Sequence, residues 1–214
     1  MKAILGTIGS ATCLAAVLAL TASTAPAQNL LVDPSFESGV FALPNGFPPS
    51  SAGGGWAAFG SSISTAAANS GTHSALINDN TWNPQGVYQW LTASPGEQYS
   101  LSANYMTTTG AGYATPVLVQ LSFFDSAGAG AGAFGPWLST PALNSWTTGN
   151  VTQIAPANAA YVGAYLMFMD NNGANGNTMY FDDISLTATV VPEPASLALL
   201  GLGLVSGLIW RRRQ

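Results

Sequence analysis

The chain has 214 residues and a formal net charge of −5, from nine Asp and Glu against four Lys and Arg. The four cations are Lys2, Arg211, Arg212 and Arg213, so residues 28–191 hold no Lys or Arg beside Asp33, Glu37, Asp79, Glu97, Asp125, Asp170, Asp182 and Asp183. Nothing in that body can neutralise phosphates, which excludes nucleic acid as a partner and argues against phosphorylated ligands and anionic lipid surfaces.

At the N-terminus, Lys2, the apolar run 3–20 and the small-residue site Ala25-Pro26-Ala27 read as a signal peptide over 1–27, cut before Gln28. A retained membrane anchor is the alternative. Cys13, the only cysteine, leaves with that peptide, so the body has no disulfide to hold it. Strands are predicted at 30–32, 56–59, 74–78, 87–92, 98–106, 117–124, 146–154, 161–169 and 178–189. The clearest alternate strictly: Tyr99, Leu101, Ala103 and Tyr105 on one face of 98–106, and Val117, Val119, Leu121 and Phe123 on one face of 117–124. Turn signals at Pro95-Gly96, 125–132 and 170–176 separate the strands. Segment 44–55 reads as a long rim loop, and the A-G-A-G-A-G run 127–132 as a flexible hairpin tip. Short strands without a helical stripe predict an all-β, two-sheet antiparallel β-sandwich (jelly roll) over 28–190.

The tail 191–214 joins Pro192-Glu193-Pro194 to sixteen uncharged residues, 195–210, and then to Arg211, Arg212 and Arg213. An apolar helix with a cationic end resists complete passage through a membrane. At ~1.5 Å per residue it spans about 24 Å, short of a ~30 Å hydrocarbon core, which suits a transient anchor better than a permanent one. This order of motif, helix and arginines resembles the PEP-CTERM sorting signal of Gram-negative bacteria. The resemblance implies export, recognition of Pro192, Glu193 and Pro194 by an exosortase-type processing enzyme at the inner membrane, and delivery to the cell surface or extracellular matrix.

The body resembles a second family through N-L-L-V-D-P-S-F-E-S-G (29–39), Trp56, S-G-T-H-S-A-L-I-N (70–78), S-P-G-E-Q-Y (94–99), N-S-W (144–146) and M-Y-F-D-D-I-S-L-T (179–187). That order is similar to the galactose-binding-like jelly roll, especially carbohydrate-binding modules of families 4 and 9. The resemblance implies a structural Ca²⁺ held by Glu37 and Asp182, with backbone carbonyls from around 70–73, and sometimes a glycan-binding face. From the residues alone, Asp182 shares a strand face with Tyr180, Ile184 and Leu186 and should point inward. There it must be protonated, hydrogen-bonded or on a metal ion; the alternative to the metal is that Asp182 or Asp183 only accepts backbone hydrogen bonds in a turn, and both readings stand. Asp33 reads as ordering the turn at Pro34. Asp170-Asn171-Asn172-Gly173 fails as an EF-hand, because glycine comes fourth instead of sixth and Phe181 holds the twelfth position.

His73 is the only histidine, and the body has neither an H-E-x-x-H nor a G-x-S-x-G pattern, so catalysis has little support. Aromatic side chains are the better lead, since sugar rings stack on flat aromatic faces. Trp82, Tyr113 and Trp137 adjoin polar or glycine-rich loops and are the ligand-binding candidates, with ordinary packing as their alternative. The family resemblance implies that Trp56, Trp146, Tyr99 and Tyr105 pack in the core, while Trp90 fits either side of its strand. The reading is an exported, surface-sorted, non-enzymatic protein that associates with exopolysaccharide. The alternatives are a structural matrix protein without a saccharide site and a small glycan-acting hydrolase.

Overall fold

The computed structural model describes residues 27–41, 54–79, 84–109, 117–138, 141–169 and 177–191. Period-two alternation produces strands almost throughout: β1 Ala57–Phe59, β2 Ser61–Ser64, β3 Ser74–Asp79, β4 Gln85–Thr92, β5 Glu97–Met106, β6 Val117–Phe124, β7 Gly130–Phe134, β8 Trp137–Leu138, β9 Thr147–Ile154, β10 Tyr161–Phe168 and β11 Asn177–Val190. The first sheet runs β1-β4-β10-β6-β7, with β8 also on β6, and the second runs β2-β3-β11-β5-β9. Every ladder between these strands is antiparallel. This is the two-sheet β-sandwich read from the sequence.

The core lies between the sheets. Tyr99, Leu101, Ala103 and Tyr105 of β5 are buried with Val117, Val119, Leu121 and Phe123 of β6, as their alternation requires. Each such aliphatic or aromatic side chain gains ~1.5–3 kcal/mol on leaving water. The Tyr99 hydroxyl escapes the apolar layer at the β4–β5 turn, accepting from the Ser94 N–H at 3.0 Å and donating to Glu97 at 3.1 Å. Trp56 is buried, but Trp146 is only half-buried and stands outside the core cluster.

Three expectations change. Residues 30–32 form no strand: the Leu30 N–H donates to the Leu186 carbonyl at 2.8 Å, and side chains make the neighbouring bonds. The Gln89 amide accepts from the Val32 N–H at 2.8 Å and donates to the Val32 carbonyl at 2.9 Å. Asn29 donates to the Ile184 carbonyl at 2.8 Å and accepts from the Leu186 N–H at 3.0 Å. Second, only Asp125–Ala129 turns in the glycine-alanine run, where the Asp125 carboxylate accepts from the N–H groups of Ala127 and Ala129; Gly130 onward is strand β7. Third, β11 bulges between Asp182 and Ser185, with Asp183 at φ 49°. The bulge resets the alternation: Met179 and Phe181 face the core before it, Ile184 and Leu186 after it. Asp182 therefore shares a face with Tyr180 but not with Ile184 or Leu186. The Ile184 N–H, released from the ladder, donates to the Pro34 carbonyl at 2.9 Å.

Candidate functional site

The outer face of the first sheet is laid out by register. Residues opposite one another in an antiparallel pair share a face, so four rows cross β4, β10 and β6. They are Thr92–Tyr161–Phe124, Trp90–Gly163–Ser122, Tyr88–Tyr165–Gln120 and Gly86–Met167–Leu118. Ala57 stands beside Tyr88 and Phe59 beside Gly86, while Trp137 of β8 stands beside Leu118. The rings meet across the strands. Tyr88 stacks on Tyr165 with centroids 5.2 Å apart and an interplanar angle of 14°. Trp90 lies 5.1 Å from Tyr88 and 5.5 Å from Phe124, and Phe59 lies 5.9 Å from Tyr88.

Glycine makes this layer possible. A Cβ at Gly163 would lie 2.5 Å from Tyr165 Cε2 and 2.6 Å from Trp90 Cδ1. Without it, both rings can lie over the β10 backbone. Trp90 is 8% exposed and acts as the floor, donating its indole N–H to the Tyr165 hydroxyl at 2.7 Å. Burial pushes the Tyr165 phenol well above its ordinary range, and the nearby Tyr88 adds to the shift, while the Trp90 hydrogen bond opposes it. Gln120 donates to the Ser122 hydroxyl at 2.7 Å and supplies a polar edge beside the rings. None of the residues in these rows is Asp, Glu, Lys, Arg or His, so the face is uncharged. A rigid, neutral surface of half-buried rings with an amide alongside can stack on flat apolar groups and hydrogen-bond neutral ones.

The carboxylates gather elsewhere, on the turn 69–73 between β2 and β3. Asp182 is fully buried; one of its oxygens accepts from the N–H groups of Asn69 at 2.6 Å and Ser70 at 3.0 Å, the other from its neighbour Asp183 at 2.7 Å. Burial pushes its carboxyl up, and these N–H groups pull it back. Burial likewise raises Asp183, but Asn69, Ser70, Ser35 and Asn104 outweigh it and hold the group low. Glu37 accepts from the N–H groups of His73 and Thr72, both at 2.9 Å, and from the Thr72 hydroxyl at 3.0 Å, while His73 Nδ1 lies 3.5 Å away. The His73 and Thr72 N–H donors bring its carboxyl down to about 2 from an ordinary 4.5. Gly71, at φ +59°, leaves room for the Glu37 carboxylate where a Cβ would stand 2.4 Å from its oxygen.

The structure thus brings Glu37 and Asp182 to one turn, and Asp183 with them. The backbone offers N–H groups to Glu37 and Asp182 while Asp183 takes side-chain donors from Ser35, Asn69 and Ser70, and hydrogen bonds already satisfy buried Asp182. An all-oxygen donor set has the chemistry of a Ca²⁺ ligand, yet among the described residues no three of His, Cys, Asp and Glu converge to hold a metal ion. Asp33 does order its turn, accepting from the Ser38 N–H at 3.3 Å.

Of the three aromatic candidates, Trp137 is 64% exposed at one end of the outer face. Trp82 and Tyr113 lie outside the described residues, as do Pro192, Glu193, Pro194, Arg211, Arg212, Arg213 and the apolar segment 195–210. Among the described residues no helix is long and apolar enough to cross a membrane. Tyr88 and Tyr165, the half-exposed pair at the centre, are not distinguished by sequence reasoning. Their only signal is that 161–168, and 87–91 apart from Gln89, are apolar or aromatic on both strand faces, more than one buried side needs.

Comparison with known proteins bears on both ends of this picture. Residues 190–213 match the PEP-CTERM protein-sorting motif, which marks the chain for export and C-terminal sorting at the membrane. No curated protein matches the chain by sequence. Among solved structures, TmCBM61 in complex with β-1,4-galactotriose aligns with a TM-score of 0.51 at 16% identity, covering 76% of this chain and 99% of that one. The C-terminal family 22 carbohydrate-binding module of Clostridium thermocellum Xyn10B aligns with a TM-score of 0.52 at 21% identity, covering 75% of this chain and 94% of that one. The enzymatically active domain of bacteriophage CBA120 tailspike protein 4 aligns with a TM-score of 0.54 at 13% identity, over 75% of this chain but only 21% of that one. At these identities the likeness is one of fold: the body is a jelly roll of the kind seen in carbohydrate-binding modules.

Proposed function

We propose that this protein is an exported, non-catalytic saccharide-binding protein that associates with extracellular polysaccharide through the outer face of the first sheet. One observation carries the reading: Tyr88, Trp90, Tyr165, Phe59 and Phe124 form an uncharged, pre-packed ring surface with Gln120 beside it. Rings already held by one another lose little freedom on binding. Glycoside hydrolysis uses two carboxyl groups about 5–9.5 Å apart across the bond cleaved, and the rows of this face contain none. Affinity electrophoresis of the full chain through gels containing soluble polysaccharides tests the reading. Retardation by at least one polymer, lost in Tyr88→Ala/Tyr165→Ala, is expected. Unchanged mobility in all of them would leave a purely structural matrix role.

Sorting follows from the tail. An exosortase-type enzyme recognises Pro192-Glu193-Pro194 while 195–210 holds the chain transiently in the inner membrane, and the mature surface form lacks Arg211, Arg212 and Arg213. Replacing the Pro-Glu-Pro motif by alanines should leave export intact and trap the protein in the inner membrane. Equal surface release by that variant, or an intact C-terminus in surface protein by mass spectrometry, contradicts the proposal.

A structural Ca²⁺ at Glu37 and Asp182 is a separate proposal. It is supported by the meeting of Glu37 and Asp182 at turn 69–73 and by the lack of any Lys or Arg in the body to pair with them. Its test is thermal unfolding with and without chelator.

A further inference from the structure

At the Gly86–Met167–Leu118 end, the ring face continues into a pocket of about 80 Å³ lined by Pro84, Leu118, Trp137, Met167, Phe168 and Met169. Among the described residues its lining exposes no polar atom. A well-held water needs two to four polar partners, so water gains little here and an apolar occupant displaces it readily. The volume decides the size of that occupant. An engineered apolar cavity of about 150 Å³ takes up benzene, so a pocket of about 80 Å³ suits a group of about three heavy atoms, smaller than an acyl chain or a leucine side chain. Trp137 gives one wall a largely exposed indole, and Met167 and Met169 supply adaptable thioethers that fit irregular apolar groups.

Resting on the saccharide-binding reading above, we propose that this pocket is a subsite for a methyl group carried by the bound saccharide. Continuity argues for a saccharide substituent over a separate ligand: Leu118 and Met167 belong at once to the pocket and to the row next to Tyr88 and Tyr165. A chain stacked on those rings places its next residue over this end. The methyl can come from a 6-deoxy sugar or from an O-acetyl ester, and the chemistry at the wall is the same. The surroundings set the rest of the specificity. With no cation in the body, the face has nothing to pair with a uronate or sulfate.

The test measures binding of the full-length chain, purified in detergent, to three neutral polymers: an O-acetylated mannan, the same mannan after mild alkaline de-acetylation, and a rhamnan. A buried methyl group is worth about fourfold in affinity. A preference of about fourfold or more for the acetylated over the de-acetylated mannan, abolished in Trp137→Ala, supports the acetyl source. The same preference for rhamnan over de-acetylated mannan, likewise abolished, supports the deoxy source. Binding of all three with equal affinity, or a Trp137→Ala variant that weakens all three alike, overturns the subsite while leaving the ring face intact. If none of the three binds, the subsite falls; if no polymer retards the wild type in affinity electrophoresis either, the saccharide reading falls with it.

Discussion

The two outer faces of the sandwich follow the same strand alternation and differ in what they present. On the second sheet, Ser100, Ser102 and Asn104 of β5 stand beside Thr152, Asn150 and Thr148 of β9, and Ser102 and Ser100 also face Ser185 and Thr187 of β11. These short groups bond to one another, Ser100 with Thr152 at 2.9 Å and Thr148 to Asn104 at 2.6 Å, and stay at least partly exposed. On the first sheet, Trp90 and Leu118 are buried among their neighbours on an outer face. Trp90 is buried by the rings packed around it over the Gly163 floor, and Leu118 stands between Met167 and Trp137. A Cβ at Gly163 would meet Trp90 and Tyr165, whereas one at Gly86 would first meet the Leu166 carbonyl and then Met167 and Phe59 at 3.0 Å. An outer face can thus be solvated or pre-packed with the same backbone, and only the pre-packed one offers a ligand a rigid apolar platform.

The largest expected effect separates the faces directly. Tyr88→Ala with Tyr165→Ala should weaken polysaccharide binding about a hundredfold, about 2.7 kcal/mol. Ser100→Ala with Thr152→Ala, on the hydroxyl face, should change it less than about twofold by the same scale. Loss of binding in the second pair alone would assign the function to the wrong sheet. Next in size is the glycine floor: Gly163→Ala forces Trp90 and Tyr165 aside and should cost ~1–3 kcal/mol by chemical denaturation, with weaker binding. Gly130→Ala is its control, since a Cβ there meets nothing within 4 Å.

The third experiment asks whether the second sheet's own polar chemistry is structural. If Ca²⁺ sits at the turn 69–73, a fivefold excess over Kd adds about 1 kcal/mol, and chelation lowers Tm by about 2–4 °C. Asp182→Asn should remove that sensitivity and Asp125→Asn should keep it. A melt that ignores chelator leaves Asp182 as a hydrogen-bonded turn residue. The smallest effect is on pH. Glu37, lowered to about 2 from 4.5, contributes stability that is present above pH 4.5 and lost as pH falls toward 2. Asp182, raised by burial, acts in the opposite sense, its protonated form favouring the fold. Acid titration of Tm in Glu37→Gln should therefore show a shallower fall below pH 4.5 than wild type. Saccharide binding on the carboxylate-free face should stay flat over the same range.

Much of this was legible in the chain. In β5 and β6, one face of each strand is apolar and strictly periodic, so the core could be named residue by residue. In β4 and β10 both faces are apolar or aromatic, and Gln89 takes a core-facing position to hold the backbone of Val32, so period two could not choose a side for Trp90. β8 is two residues long, below any pattern length, and Trp137 stood out only through its glycine-rich surroundings. The family resemblance pairs Glu37 with Asp182 and the turn reading takes in Asp183, but the side-chain contacts of Asp183 with Ser70 and Asn69 depend on a bulge that has no local signature.

What the sequence determined by itself was what depends on composition and near neighbours: an all-β body, the placement of every Lys and Arg at the two ends, and the sorting tail. What only tertiary structure decided was which strands lie side by side. Trp90 and Tyr165, 75 residues apart, share a hydrogen bond because β4 and β10 pair over eight residues. Alternation fixes which side chains leave a strand on one face, but lateral pairing across the sheet fixes which of them meet, and that depends on the whole core closing in one register.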